Sequence, residues 1–195
     1  MRVLPRTLTE PEIEPVTLSQ LRAHVHADAD VDDMILRGFL ITARTMVEQW
    51  MGRAIVPRSV VAVFEQWPEG RYGNGDDAIE LLMPVSSIDS ITYTNASGAT
   101  VPWTDFIARL SQGGVMRVRE RAGYSWPNLG NDPIITLTAT AGFDEMPEPV
   151  VSAVMMLAGY LYADRDGQGD SSMGVGKIPR PVKDLIAPWR WRWLG

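Results

Sequence analysis

The chain contains no cysteine. That excludes disulfide staples, thiolate metal sites and a thiol nucleophile. Histidine is nearly as scarce: His24 and His26 are the only two, and residues two apart on a helix point to different sides. No further ligands stand at familiar zinc spacing around them. No apolar run reaches the length of a membrane span. The opening "MRVLPRTLTEPEIEP" lacks the apolar core of a signal peptide, so a soluble cytoplasmic chain is expected. Positive charge is in deficit, with a net charge of −6, whereas a protein that grips the outside of DNA carries a basic face to neutralise phosphates.

Catalytic and metal motifs are missing in the same way. Asp28, Asp30 and Asp32 alternate like the start of a calcium loop. The sixth position is Asp33 instead of glycine, and the twelfth is Phe39 instead of a bidentate glutamate. The acids suit the positive first turn of a helix instead. "GVGK" (Gly174 to Lys177) hints at a phosphate loop, but Ser171 stands where the leading glycine belongs. Ile178 follows the lysine, so no hydroxyl is placed for magnesium. No G-x-S-x-G elbow occurs. No cofactor, metal or catalytic residue is expected.

What is present is a clear order of textures over 195 residues, 45% of them hydrophobic. Residues 1–16 hold three prolines and read as an extended lead-in. Thr17 followed by Gln20 has capping-box spacing and predicts a short helix. A second start at Asp30 opens a long helix with the apolar positions Val31, Ile35 and Phe39 beside Met34, Ile41, Met46 and Trp50. Most of this stripe is expected in the core, and Gly52 is placed to end the helix. From Pro57 the runs "SVVAVFEQW", "AIELLM", "SSIDSITYTN" and "ITLTATAG" are strand-like. Hairpins are predicted at Asn95–Gly98 and Gly113-Gly114, and an Asn-Gly turn signal lies in "RYGNGDD". Helical texture returns at Pro147, with Val150, Val154, Leu157 and Leu161 on one face. A Gly/Ser loop over 165–178 and a last short helix from Pro179 follow.

The expected fold class is α+β. A small helical body has two long helices plus short N- and C-terminal helices, and an antiparallel β module is inserted in it. The segments are 1–16 lead-in, 17–52 helical, 58–142 β module, 147–187 helical and 188–195 tail, in one domain over 1–195.

This order resembles the head–tail connector (adaptor, head-completion) proteins of long-tailed bacteriophages and gene transfer agents. The likeness rests on "EPVTLSQLRAHVHADADVDDMILRGFLITARTMVEQWMGRAI", "FEQWPEG", "IELLMPVSSIDSITYTNASG", "TATAGFDEMPEPVVSAVMMLAGYLYADRDG" and "IPRPVKDLIAPWRW", in that order. The final "RWLG" departs from the family's usual Pro-x-Arg close. The resemblance implies a virion structural protein that forms a homo-oligomeric ring, typically dodecameric, in the particle neck. The ring would join the portal protein to stopper or tail-side proteins, and DNA would pass through the lumen without specific binding. The alternative is an assembly-regulating or chaperone-like binding module absent from the mature particle.

Three of the seven tryptophans fall in the last seven residues. Trp189, Arg190, Trp191, Arg192, Trp193 and Leu194 form a candidate portal-docking tail, because Trp and Arg dominate binding hot spots. Three other readings stay open for it: folding back on its own subunit, insertion at a membrane interface, and stacking on nucleic acid. The loop 165–178 is a candidate to order on assembly, and the turns 95–98 and 73–77 are candidate contact tips.

Overall fold

The structure is a computed structural model that describes residues 1–3, 6–7, 10–28, 33–68, 78–81, 83–111, 115–165 and 177–191. The expected turns at 73–77 and 113–114, the Asp30 helix start, most of the 165–178 loop and residues 192–195 lie outside them. The chain divides into two compact units, Met1–Glu10 with Pro57–Gly142, and Pro11–Val56 with Phe143–Gly195.

The first unit is the β module. Its strands are β1 (Arg2–Val3), β2 (Arg6–Thr7), β3 (Arg58–Phe64), β4 (Ile79–Leu81), β5 (Val85–Thr94), β6 (Thr100–Pro102), β7 (Phe106–Leu110), β8 (Met116–Glu120) and β9 (Ile135–Ala141). They make a four-stranded sheet ordered β1-β4-β8-β7 and a five-stranded sheet ordered β2-β3-β9-β5-β6. The β9 sequence "ITLTATA" alternates as a half-buried strand should: Ile135, Leu137, Ala139 and Ala141 are buried and the threonines are not. With β3 and β5 on its two sides, β9 is the centre of its sheet. Pro102 sits in β6, at an edge, where its missing N–H leaves no ladder bond unmade. The lead-in is more than a spacer. β1 pairs parallel with β4, the one parallel pair among the described strands, and β2 pairs antiparallel with β3. The Met1 ammonium donates to the Ala78 carbonyl at 2.7 Å.

An aromatic cluster fills out the module. Trp126 lies 4.8 Å, centroid to centroid, from both Trp67 and Trp103. Trp67 donates its indole N–H to the Pro127 carbonyl at 2.8 Å. Each ring pair adds about 0.5–1.5 kcal/mol beyond its area burial. The predicted hairpin at 95–98 is present: the Asn95 side-chain oxygen accepts from the backbone N–H of Ser97 and Ala99, both at 3.0 Å.

The second unit is helical: α1 (Leu18–Val25), α2 (Asp33–Met51), α3 (Glu148–Ala163), α4 (Arg180–Ile186), then a 3₁₀ turn over Ala187–Trp189. Thr17 and Gln20 form the predicted capping box. Gly52 takes a left-handed φ of 69° at the end of α2. Val150, Val154 and Leu157 of α3 are buried as expected, against Leu36, Leu40, Ala43, Val47 and Met51 of α2 and Val182 and Ile186 of α4.

The α2 face corrects the sequence reading. Met34 is 78% exposed, Ile35 52% and Ile41 37%, whereas Leu36, Leu40, Ala43 and Val47 on the opposite side are buried. The helix is apolar on two sides, so periodicity could not choose between them. The chosen side carries Arg44, which is 2% exposed. Its Nε donates to Glu14 at 2.8 Å and its Nη1 to Glu48 at 3.0 Å. Glu48 also accepts the Ile55 backbone N–H at 2.9 Å. A buried arginine needs these carboxylates, and they tie the segment before α1 and the turn after α2 to the core side.

Candidate assembly surfaces

Three surfaces stand out. The first is the tail. The 3₁₀ turn ends at Trp189, which packs against the helical core, and the chain then doubles back along the end of α2. Arg190 Nε donates to the Trp50 carbonyl at 3.1 Å, and its guanidinium lies 4.7 Å from the centre of the Trp50 ring. Trp191 donates its backbone N–H to the Met51 carbonyl at 2.7 Å. These carbonyls belong to the last turn of α2 and have no partner within the helix. A cation there also complements the negative end of the helix dipole. A side chain at Gly52 would begin 3.6 Å from the Trp191 carbonyl oxygen, so the glycine also lets the tail lie close. The described part of the tail therefore folds back on its own unit. Arg192, Trp193 and Leu194 lie outside the described residues.

The second surface is the exposed side of α2. Met34, Ile35, Gly38, Ile41, Thr42 and Thr45 fall within an arc of about 120° at 100° per residue. Thr42 donates its hydroxyl to the Gly38 carbonyl and Thr45 to the Ile41 carbonyl, both at 2.8 Å. The hydroxyls are thus satisfied inside the helix, so covering this face strands no threonine donor. A Cβ placed on Gly38 would meet nothing within 4 Å, which leaves room for another surface to approach the backbone closely.

The third surface is a groove of about 590 Å³ over β7 and β8, lined by Ile107, Arg109, Arg117 and Arg119 among others. Sequence reasoning took "FIARLSQGGVMRVRERAG" as a hairpin and missed its polarity. The signal was there in "MRVRE": Met116 and Val118 turn inward, so Arg117 and Arg119 must share the other face.

The candidates His24, His26 and Asp33 sit in the helical unit. His26 is the left-handed C-cap of α1, its N–H donated to the Arg22 carbonyl. His24 lies beside Gly159 in a cleft of about 530 Å³ between α1 and α3. Arg22 donates to the Asp28 carbonyl at 2.7 Å and to the Asp33 carboxylate at 2.6 Å, so Asp33 serves the start of α2. Asp30 and Asp32 lie outside the described residues, as does most of "GVGK", and Lys177 is exposed. Among the described residues no cluster of three or more His, Asp or Glu could hold a metal ion. No described helix is long and apolar enough to cross a membrane. Arg53, whose guanidinium lies 4.0 Å from the centre of the Phe143 ring, has its pKa lowered by burial.

No protein-family model matches the chain, and no curated protein matches it. Solved structures do. A chain in the neck of an empty gene transfer agent particle, computed with C6 symmetry, superposes with a TM-score of 0.73 at 23% identity. The match covers 98% of this chain and 97% of that one. The chain has the fold of a particle-neck protein. A chain in the virion of the native gene transfer agent particle gives the same figures. One in the native neck computed with C12 symmetry gives a TM-score of 0.68 at 24% identity over the same coverage. At this identity the shared property is the path of the backbone. The roles of particular side chains have to come from the surfaces described above.

Proposed function

We propose that the chain is a structural adaptor of a phage or phage-like particle. Its copies form a ring in the neck between the portal and the stopper or tail-side proteins, and DNA passes through the lumen. The observation that carries this reading is the correspondence of fold over nearly the whole of both chains with neck proteins of particles computed with C6 and C12 symmetry. The order of sequence segments points the same way. The role is mechanical, and both units serve it as one connector domain.

A ring needs two different patches that meet head-to-tail with a rotation that closes. The exposed side of α2 supplies one, and its occupant is the next copy of the chain. Portal docking falls to the tail. Arg190 and Trp191 are fixed on α2, and Arg192, Trp193 and Leu194 follow them in the sequence. Repetition around the ring turns a modest affinity into a durable joint.

Electron microscopy of the neck tests the reading. Density for this chain between portal and tail is expected. A mature particle that lacks the chain would refute the adaptor and leave an assembly chaperone. For the tail, deletion of residues 192–195 leaves the α2 anchor intact, so the subunit folds normally and portal binding is lost. Undiminished binding would remove the docking role.

A further inference from the structure

The groove over β7 and β8 concentrates positive charge on an acidic protein. Arg109 and Arg117 stand directly opposite each other in the β7–β8 ladder, and Ile107 stands opposite Arg119. Opposed strand residues share a face, as do residues two apart. Arg109, Arg117 and Arg119 therefore point to one side of the sheet. Like charges directly opposite destabilise a strand pair, and the two carboxylates here, Glu80 paired with Arg117 and Glu120 in the groove lining, leave the three arginines in excess. Glu80 takes Arg117 at 3.0 Å through one oxygen and Arg2 at 3.2 Å through the other. Ile107, Leu110 and Ala122 add apolar surface to the groove, which suits a protein segment better than a bare phosphate.

The chain carries a net charge of −6 overall, so the surface outside this groove is more acidic than the total suggests. One cluster is compact. Asp144, Glu145 and Glu148, where β9 gives way to α3, are all exposed. The arginine excess on one unit and these carboxylates on the other are complementary in sign.

Resting on the ring reading, we propose that the arginine groove over β7 and β8 receives the Asp144–Glu145–Glu148 surface of the next copy in the ring. The contact is heterologous, as ring closure requires. Arginine forks pair bidentately with carboxylates, and complementary charges set register and partner choice more than raw affinity. This contact fixes which way one copy sits on the next, while the apolar side of α2 supplies burial.

Charge reversal tests it. Two variants of the full chain are made, Arg109→Glu with Arg119→Glu, and Asp144→Arg with Glu145→Arg. Ring assembly on purified portal is followed by mass photometry. Each variant alone is expected to need at least tenfold more protein for half-assembly. An equimolar mixture restores assembly, because alternating copies pair every reversed groove with a reversed carboxylate surface. The milder pair Arg109→Gln with Arg119→Gln gives a smaller loss and controls for misfolding. Variants that assemble like wild type, or a mixture that fails to rescue folded variants, overturn the proposal and leave the ring intact. A groove variant that assembles normally but loses binding to a labelled DNA duplex overturns it in favour of a phosphate contact. If the wild-type chain never enters a ring on portal, the adaptor reading itself falls, and with it this contact.

Discussion

Replacing Met34, Ile35 and Ile41 together by glutamine should abolish ring assembly without harming the fold. Fully burying a Met or Ile side chain is worth about 1.5–3 kcal/mol. Met34, Ile35 and Ile41 leave 78%, 52% and 37% of their surfaces uncovered in the single chain. Covering those fractions contributes about 2.5–5 kcal/mol per copy–copy contact by the same scale. That is a dissociation constant weakened about 70-fold at the low end and several thousand-fold at the high end. Glutamine suits the variant because its helix propensity is at least that of isoleucine. Exposed substitutions of this kind usually change stability by less than about 0.5 kcal/mol each. The assay pairs thermal unfolding of the purified chain with assembly on portal. Unchanged unfolding with lost assembly is expected. Assembly at wild-type concentration would refute the reasoning, because the face would then have no partner. A large fall in melting temperature would refute it differently, by showing that the face packs within the chain.

Two further substitutions probe the units separately. Arg44→Ala takes the guanidinium away from Glu14 and Glu48 and should cost about 3–5 kcal/mol, a drop of roughly 10 °C in the melting of the 195-residue chain at about 2–4 °C per kcal/mol. The combination Glu14→Leu, Arg44→Met, Glu48→Gln should recover most of it, since the glutamine still accepts from Ile55, and no recovery would show that the charges themselves are needed. Gly130→Ala would place a Cβ 2.5 Å from the Asn95 carbonyl oxygen and should cost about 1–3 kcal/mol by overpacking, read as a lower urea midpoint; an unchanged midpoint would mean that the backbone there moves freely.

Local signals were legible in the sequence. The Thr17 capping box, the Gly52 stop, the Asn95 turn and the alternation of β9 each rest on a few neighbouring residues, and each is present. Choices set by distant partners were not legible. The core side of α2 depends on Glu14, far back in the chain, meeting Arg44. A charge held between Leu40 and Val47 on an apolar face was the available hint. The tryptophan cluster draws Trp67, Trp103 and Trp126 from separate loops, and the β1–β4 pair joins the first residues to a strand beyond residue 78. No window contains both halves of such contacts. For the tail, alternating Trp and Arg suggested a regular face, whereas the described residues leave helical geometry at Arg190 to serve unpaired carbonyls of another helix.

Net charge was the bluntest of the sequence signals, for a physical reason. At physiological ionic strength the Debye length is about 8 Å, shorter than α2, whose 19 residues span nearly 30 Å at a rise of about 1.5 Å per residue. Charges on the far side of a subunit are therefore largely screened from a neighbour, and the total of −6 says little about what happens at a contact. Groups within a few ångströms are screened far less. The arginines of β7 and β8 and the carboxylates at 144–148 act at that range or not at all, so the placement of charge decides the contact. Raising salt should then weaken copy–copy docking through these residues, even though screening also relieves repulsion between acidic subunits. Assembly that strengthens steadily with salt would mean that long-range repulsion outweighs the local pairing.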